Sequence, residues 1–182
     1  GVSMWELYIS PDMLAEGEWT AIAKSIAWAK DRFPILSSTE MIGGDPKKRE
    51  AYGYAHFREQ RGIIAARNPF ILPSSLSVDL TPSQGVDPGA RSLVLERVYP
   101  THWVSPRFYA AGQRVVLPLE GYETSIYEMY PVEQATAPLL AGAIVDVVSR
   151  TDTSCLLRYY DKTSTVKLLN PDRVDFIMSN GT

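Results

Sequence analysis

The sequence predicts a mainly β protein, an antiparallel, Greek-key-like β-sandwich preceded by one strand and one α-helix. Three observations carry this. Apolar residues recur at helical spacing over one long segment, Ala15 to Phe33. Beyond residue 45 the pattern changes to ten short apolar segments separated by turn residues, the spacing of a two-sheet antiparallel domain. Several of these alternate with period two: Tyr52, Tyr54 and His56 share one face of a strand, and Gly53, Ala55 and Phe57 the other. The expected division is a strand-helix unit with a linker loop over 1–45 and the sandwich domain over 46–182.

Taken in order, MWELYIS (4–10) is rich in aromatic and branched residues and reads as a strand. Ser10-Pro11 then offers a helix cap with proline at the first helical position. Ala15, Trp19, Ile22, Ile26, Ala29 and Phe33 line one face of the helix, which Ala23, Ala27 and Trp28 widen. Gly17 belongs to its first turn, because a mid-helix glycine costs about 1 kcal/mol relative to alanine. Pro34 stops it. MIGGDPKKRE (41–50) combines Gly-Gly, Asp-Pro and charges and is expected to be an exposed loop.

The expected strands are 51–57, 61–68, 75–80, 91–99, 114–119, 122–130, 143–149, 155–160, 165–169 and 174–179. Pro118, Pro131 and Pro138 fall at strand ends, where a missing N–H does least harm. In RGIIAARNPF (61–70), Arg61, Ile63, Ala65 and Arg67 share a face, and Gly62, Ile64 and Ala66 occupy the other. Small or apolar residues on both faces mark an inner strand, which Asn68-Pro69 ends. Arg67 is expected to reach solvent or pair with a loop carboxylate such as Asp45.

Composition narrows the function classes. The 182 residues carry a formal charge of −3 and are 45% hydrophobic, enough for a core, and the Lys and Arg form no basic stripe, so nucleic acid is not an expected partner. The single cysteine, Cys155, excludes an internal disulfide framework and reads as a small buried hydrophobe in SCLLRYY. No apolar run approaches the roughly 20 residues of a membrane span. GVSMWELY lacks the regions of a signal peptide and enters a strand without lead-in, which suggests a piece of a longer polypeptide.

Motif chemistry is sparse. The two histidines, His56 and His102, have neither an i, i+4 partner nor a Cys/His cluster, so no metal is expected. There is no G-x-S-x-G elbow, no G-x-G-x-x-G and no G-K-[ST], so no serine triad, nucleotide or other cofactor is expected. Acid-base sugar hydrolysis needs two carboxyls flanking one bond. The N-terminal acids Glu6, Asp12, Glu40, Asp45 and Glu50 show no pattern that brings two together. Trp103, in YPTHWVSPRFY, is either a ring for stacking on carbohydrate or one more core aromatic.

MWELYISPDMLAEGEWTAIAKSIAWAKDRFPIL, then TEMIGGDP, YGYAHF, RGIIAARNPF and GYETSIYEMYP, occur in an order that resembles the end of glycoside hydrolases of the alpha-galactosidase (melibiase) clan and their uncharacterised relatives. The resemblance covers residues 4 to about 130 and is weaker from Leu139 onward. It implies that the first strand and helix are the last of a (β/α)8 barrel and that the remainder is the sandwich that follows it. That clan's two catalytic aspartates lie on earlier barrel strands, so no catalytic residue is assigned to this chain, which is expected to be inactive alone. The expected partner is the parent barrel, in a secreted or periplasmic protein. Barrel enzymes place their sites at the C-terminal ends of strands, which makes Tyr8, Ser10 and Asp12 the substrate-proximal candidates. Their plainer roles are packing, helix cap and first-turn charge. The alternative is an independent carbohydrate-binding module that uses Trp103.

Overall fold

The computed structural model describes residues 10–151, 153–160, 166–175 and 177–178. The expected first strand lies outside them, apart from Ser10. Ser10 and Pro11 open a single 3-10 turn, Pro11–Met13, and the Ser10 hydroxyl makes no capping bond. Helix α1, Glu16–Asp31, begins five residues later than Ser10-Pro11 suggests. Glu18 accepts the Ala15 N–H at 2.8 Å, half of a capping box, since alanine has no side-chain oxygen to complete it. Glu16 and Glu18 also face the positive end of the helix dipole. Pro34 has no N–H for the carbonyl of Lys30, so α1 ends at Asp31; a new turn, α2, Phe33–Leu36, starts with that proline near its head.

The rest is antiparallel β structure: β1 Glu40–Gly43, β2 Tyr52–Arg58, β3 Arg61–Arg67, β4 Ser74–Asp79, β5 Leu93–Tyr99, β6 Trp103–Val104, β7 Arg114–Leu119, β8 Thr124–Pro131, β9 Leu140–Ala141, β10 Val145–Arg150, β11 Cys155–Tyr159 and β12 Lys167–Leu168. Six strands form one sheet in the order β1-β2-β3-β8-β5-β6, and β4-β7, β10-β11 and β9-β12 form ribbons. Phe57, Ile64, Leu95, Tyr127 and Met129 from the sheet bury themselves with Leu76, Val78, Val115, Leu117 and Leu119 from the β4-β7 ribbon. Each large side chain removed from water there contributes about 1.5–3 kcal/mol. On the opposite face of the sheet Val94, Val104 and Tyr130 form a second cluster with Ala135, Leu139, Ala141 and Leu169.

Strand β3 is an inner strand, between β2 and β8, with Ile63 and Ile64 buried on opposite faces. Arg67 donates to Thr124 Oγ1 at 2.7 Å rather than to Asp45, whose carboxylate accepts the Lys47 N–H within its own turn. Asn68 does more than end the strand. Fully buried, it donates to the carbonyls of Leu72 and Glu120 and accepts the Phe70 N–H.

Two expectations need correction. The stretch read as an exposed loop from Met41 begins inside β1, which pairs with β2 and buries Ile42. Gly43, at φ +87°, closes that strand, and any side chain there would meet Leu76 and the Ala51 carbonyl. The sheet therefore starts before residue 46. The final expected strand, 174–179, is absent over its described residues, Val174, Asp175, Ile177 and Met178. Pro118 lies within β7, opposite Ser75, where an edge position spares it a ladder bond.

Ile64→Asp places an unpaired charge in the core and should abolish the cooperative thermal transition. Asn68→Ala should cost about 2 kcal/mol or more in urea, because it strips partners from buried backbone groups. Arg67→Ala should cost under about 1 kcal/mol. The reverse ranking would refute this assignment of β3.

Candidate functional site

The outward face of the sheet carries one row of side chains across five strands: His56, Ile63, Glu128, Glu96 and Val104. Glu96 on β5 and Glu128 on β8 are direct cross-strand neighbours. Such pairs have Cβ atoms about 4.5–5.5 Å apart, and like charges so placed repel. The surroundings offset that repulsion in different ways for the two acids.

Glu128 is buried, and its Oε1 accepts the Trp28 indole N–H at 2.9 Å and the Arg32 Nε–H at 2.6 Å. The Arg32 guanidinium also lies 5.0 Å from the centre of the Trp28 ring and donates to Asp31. Trp28 and Arg32 are one helical turn apart, at the end of α1, so their side chains meet over the same strand. Glu96 faces titratable and hydroxyl donors instead. Its Oε1 lies 2.6 Å from His102 Nε2, and its Oε2 accepts the Tyr130 hydroxyl. Burial pushes the Glu96 carboxyl up, but hydrogen bonds from His102 and Tyr130, with the charges of His102 and Arg32, outweigh it and hold the group below its usual range. Burial and the adjacent Glu96 push the Tyr130 phenol up, which keeps it a proton donor.

At the far end of the row His56 is buried. Its Nδ1 lies 3.1 Å from the Ser38 carbonyl and 3.0 Å from Thr39 Oγ1. Burial lowers its pKa despite the backbone contacts, so the ring is neutral at physiological pH. Among the described residues no group of His, Cys, Asp and Glu could hold a metal.

Beside Glu96, His102 and Tyr130 the β10-β11 ribbon leaves a cleft of about 200 Å³, walled by Leu139, Val145, Val147, Leu157 and the half-buried thiol of Cys155. An ionised carboxylate at one end of an apolar cleft suits reception of a hydrogen-bond donor. It does not suit proton donation, since a general acid needs its pKa raised, the opposite of the shift at Glu96.

Tyr8 lies outside the described residues, as does Glu6. Ser10 and Asp12 are exposed on the turn before α1. Trp103 is half-buried in β6 and packs against the main core. Asp45 and Glu50 tie up the turn after β1, where Glu50 accepts the Asp45 N–H at 2.8 Å. Residue-by-residue reading passed over Glu96 and Glu128. Their signal was a single acid inside each of two mostly apolar strands, LVLERVY and SIYEMY. No family model, curated protein or solved structure matches the chain.

Glu128→Gln should release the end of α1. Hydrogen exchange should then quicken at least about tenfold around Trp28 while the sheet stays protected. A depressed carboxyl contributes stability above its unfolded pKa, near 4.5 for Glu96, and loses it as pH falls through the lower folded value. Glu96→Gln should therefore flatten the acid limb of the stability-pH curve below about pH 4.5. An unchanged limb would mean that the pair carries no such linkage.

Proposed function

We propose that this chain is the non-catalytic C-terminal region of an alpha-galactosidase-like multidomain glycoside hydrolase, a β-sandwich with one barrel-type strand and helix before it. In this reading the six-stranded sheet and the β4-β7 ribbon are the sandwich, α1 is the last barrel helix, and the sandwich supports and covers the side of the barrel. The observation that carries it is the state of α1. Its apolar stripe is formed, with Trp19, Ile22, Ile26 and Ala29 on one side, yet no residue of the helix is buried and Trp19 is 38% exposed. A stripe of that width normally lies against another element. The ties of α1 to the sheet through Trp28 and Arg32 are polar ones at its C-terminal end. The stripe is only partly covered, with Ile22, Ile26 and Ala29 half-buried and Trp19 exposed, so barrel strands would complete its burial.

The reading also rests on the order of the sequence segments, and it assigns the chemistry to strands upstream of this chain. Tyr8, Ser10 and Asp12 would then lie near the mouth of the barrel. The alternative, an independent carbohydrate-binding module, has less support, because the Trp103 ring is packed against the core.

The upstream coding sequence is the direct test. Seven further strand-helix units with two strand-end aspartates are expected, and a preceding region of any other kind overturns the reading. The 182-residue chain should release no nitrophenol from aryl galactosides above buffer. Trp19→Ser should change its stability by less than about 0.5 kcal/mol, the range of surface substitutions, while destabilising the barrel-containing protein. A cost of several kcal/mol in the isolated chain would show that the stripe is already covered.

A further inference from the structure

The cleft beside Glu96 has a shape and a polarity that the accessory-domain reading does not use. Its floor is the outward face of the sheet and its walls come from the segment around Leu139 and from the β10-β11 ribbon. Small-ligand sites are concave, mostly apolar and carry a few convergent polar groups. Here the polar side chains are Thr136 and the hydrogen-bonded group of Glu96, His102 and Tyr130.

Charge decides what fits beside that group. Glu96 and Glu128 face each other across the strands, and Arg32 donates from Nε to Glu128 and from Nη1 to Asp31, with no hydrogen bond to Glu96 among the described residues. His102 Nε2 lies 2.6 Å from Glu96 Oε1. Tyr130 and His102 each engage one Glu96 oxygen. A carboxylate has about four acceptor positions, so Glu96 keeps capacity for a further donor. A cation there would relieve the opposition of the two acids as well as pair with one of them. The walls offer no further charge, and Leu139, Val145, Val147 and Leu157 suit a short hydrocarbon chain. At roughly 30 Å³ per water-sized group, 200 Å³ accommodates a molecule the size of a four- or five-carbon amine.

We propose that this cleft is a binding site for a small aliphatic amine, with the ammonium on Glu96 and the alkyl body between Leu139, Val145, Val147 and Leu157. The site is built from the sheet and the C-terminal ribbon, so it stands or falls independently of what covers α1.

The probe is n-butylammonium, titrated against the full chain and followed by backbone amide shifts. A ligand of this size should saturate the site at about millimolar concentration, with shifts confined to β5, the Leu139 segment and the β10-β11 ribbon. n-Butanol, which keeps the alkyl body and a donor but no charge, should bind at least tenfold more weakly. Glu96→Gln should weaken butylammonium at least tenfold. Val147→Lys changes a residue that is 52% exposed, so the fold should tolerate it, and its tethered ammonium should occupy the site and abolish binding. This variant decides the matter if Glu96→Gln does not fold. Absence of saturation, equal affinity for the alcohol, or undiminished binding by Val147→Lys would each overturn the proposal.

Discussion

Strand β8 has no face to spare. It lies between β3 and β5 in the middle of the sheet, and Tyr127 and Met129 point into the main core while Glu128 and Tyr130 take the other side. Because side chains alternate with period two, a slip of one residue would drive Glu128 into the hydrocarbon core and bring Met129 out. The hydrophobic requirement on one face thus sets the register with both neighbours. That register in turn puts Glu128 opposite Glu96 and leaves an acid that, among the described residues, the end of α1 satisfies. The position of the helix follows from the strand.

The two acids share one patch of sheet but play different parts. Glu128 is held by a guanidinium that never loses its charge and by an indole N–H, both from α1. It works as a joint between helix and sheet. Glu96 is held by a histidine and a phenol and borders open space. Its hydrogen-bond partners come from its own strand neighbourhood, and the helix reaches it only through the nearby charge of Arg32. One carboxylate is therefore fastened inward and its neighbour remains available outward.

Much of the β framework was legible because it rests on local alternation. Gly53, Ala55 and Phe57 face the core as their parity predicts, and β7 spans the six residues that its apolar pattern marks. Strand β1 was hidden because it offers only Met41 and Ile42 before two glycines, too few positions to show a period, and it exists by pairing with β2. The helix stripe was visible, but burial was not, since period says which face is apolar and not what lies against it. The Glu96–Glu128 pair was out of reach for another reason. Each acid is conspicuous within its own strand, yet their adjacency depends on the register between β5 and β8, and the Trp28 and Arg32 contacts span about a hundred positions. Such contacts leave no trace in spacing.

The strand order has a kinetic corollary. β2 and β3 are joined by a tight connection and can pair as soon as both exist, but the other edge of β3 is completed by β8, which is separated from it in sequence by β4 to β7. Non-local pairings of this kind slow folding, because chain closure costs entropy before contacts repay it. On a ribosome that adds residues in sequence, Ile63 and Ile64 emerge with an open backbone edge and stay so until Thr124 to Pro131 have cleared the exit tunnel. Over that interval the hairpin is an adhesive template for any other nascent strand. The arginines at the two ends of β3, Arg61 and Arg67, both exposed, then act as gatekeepers that discourage the wrong partner until the right one arrives.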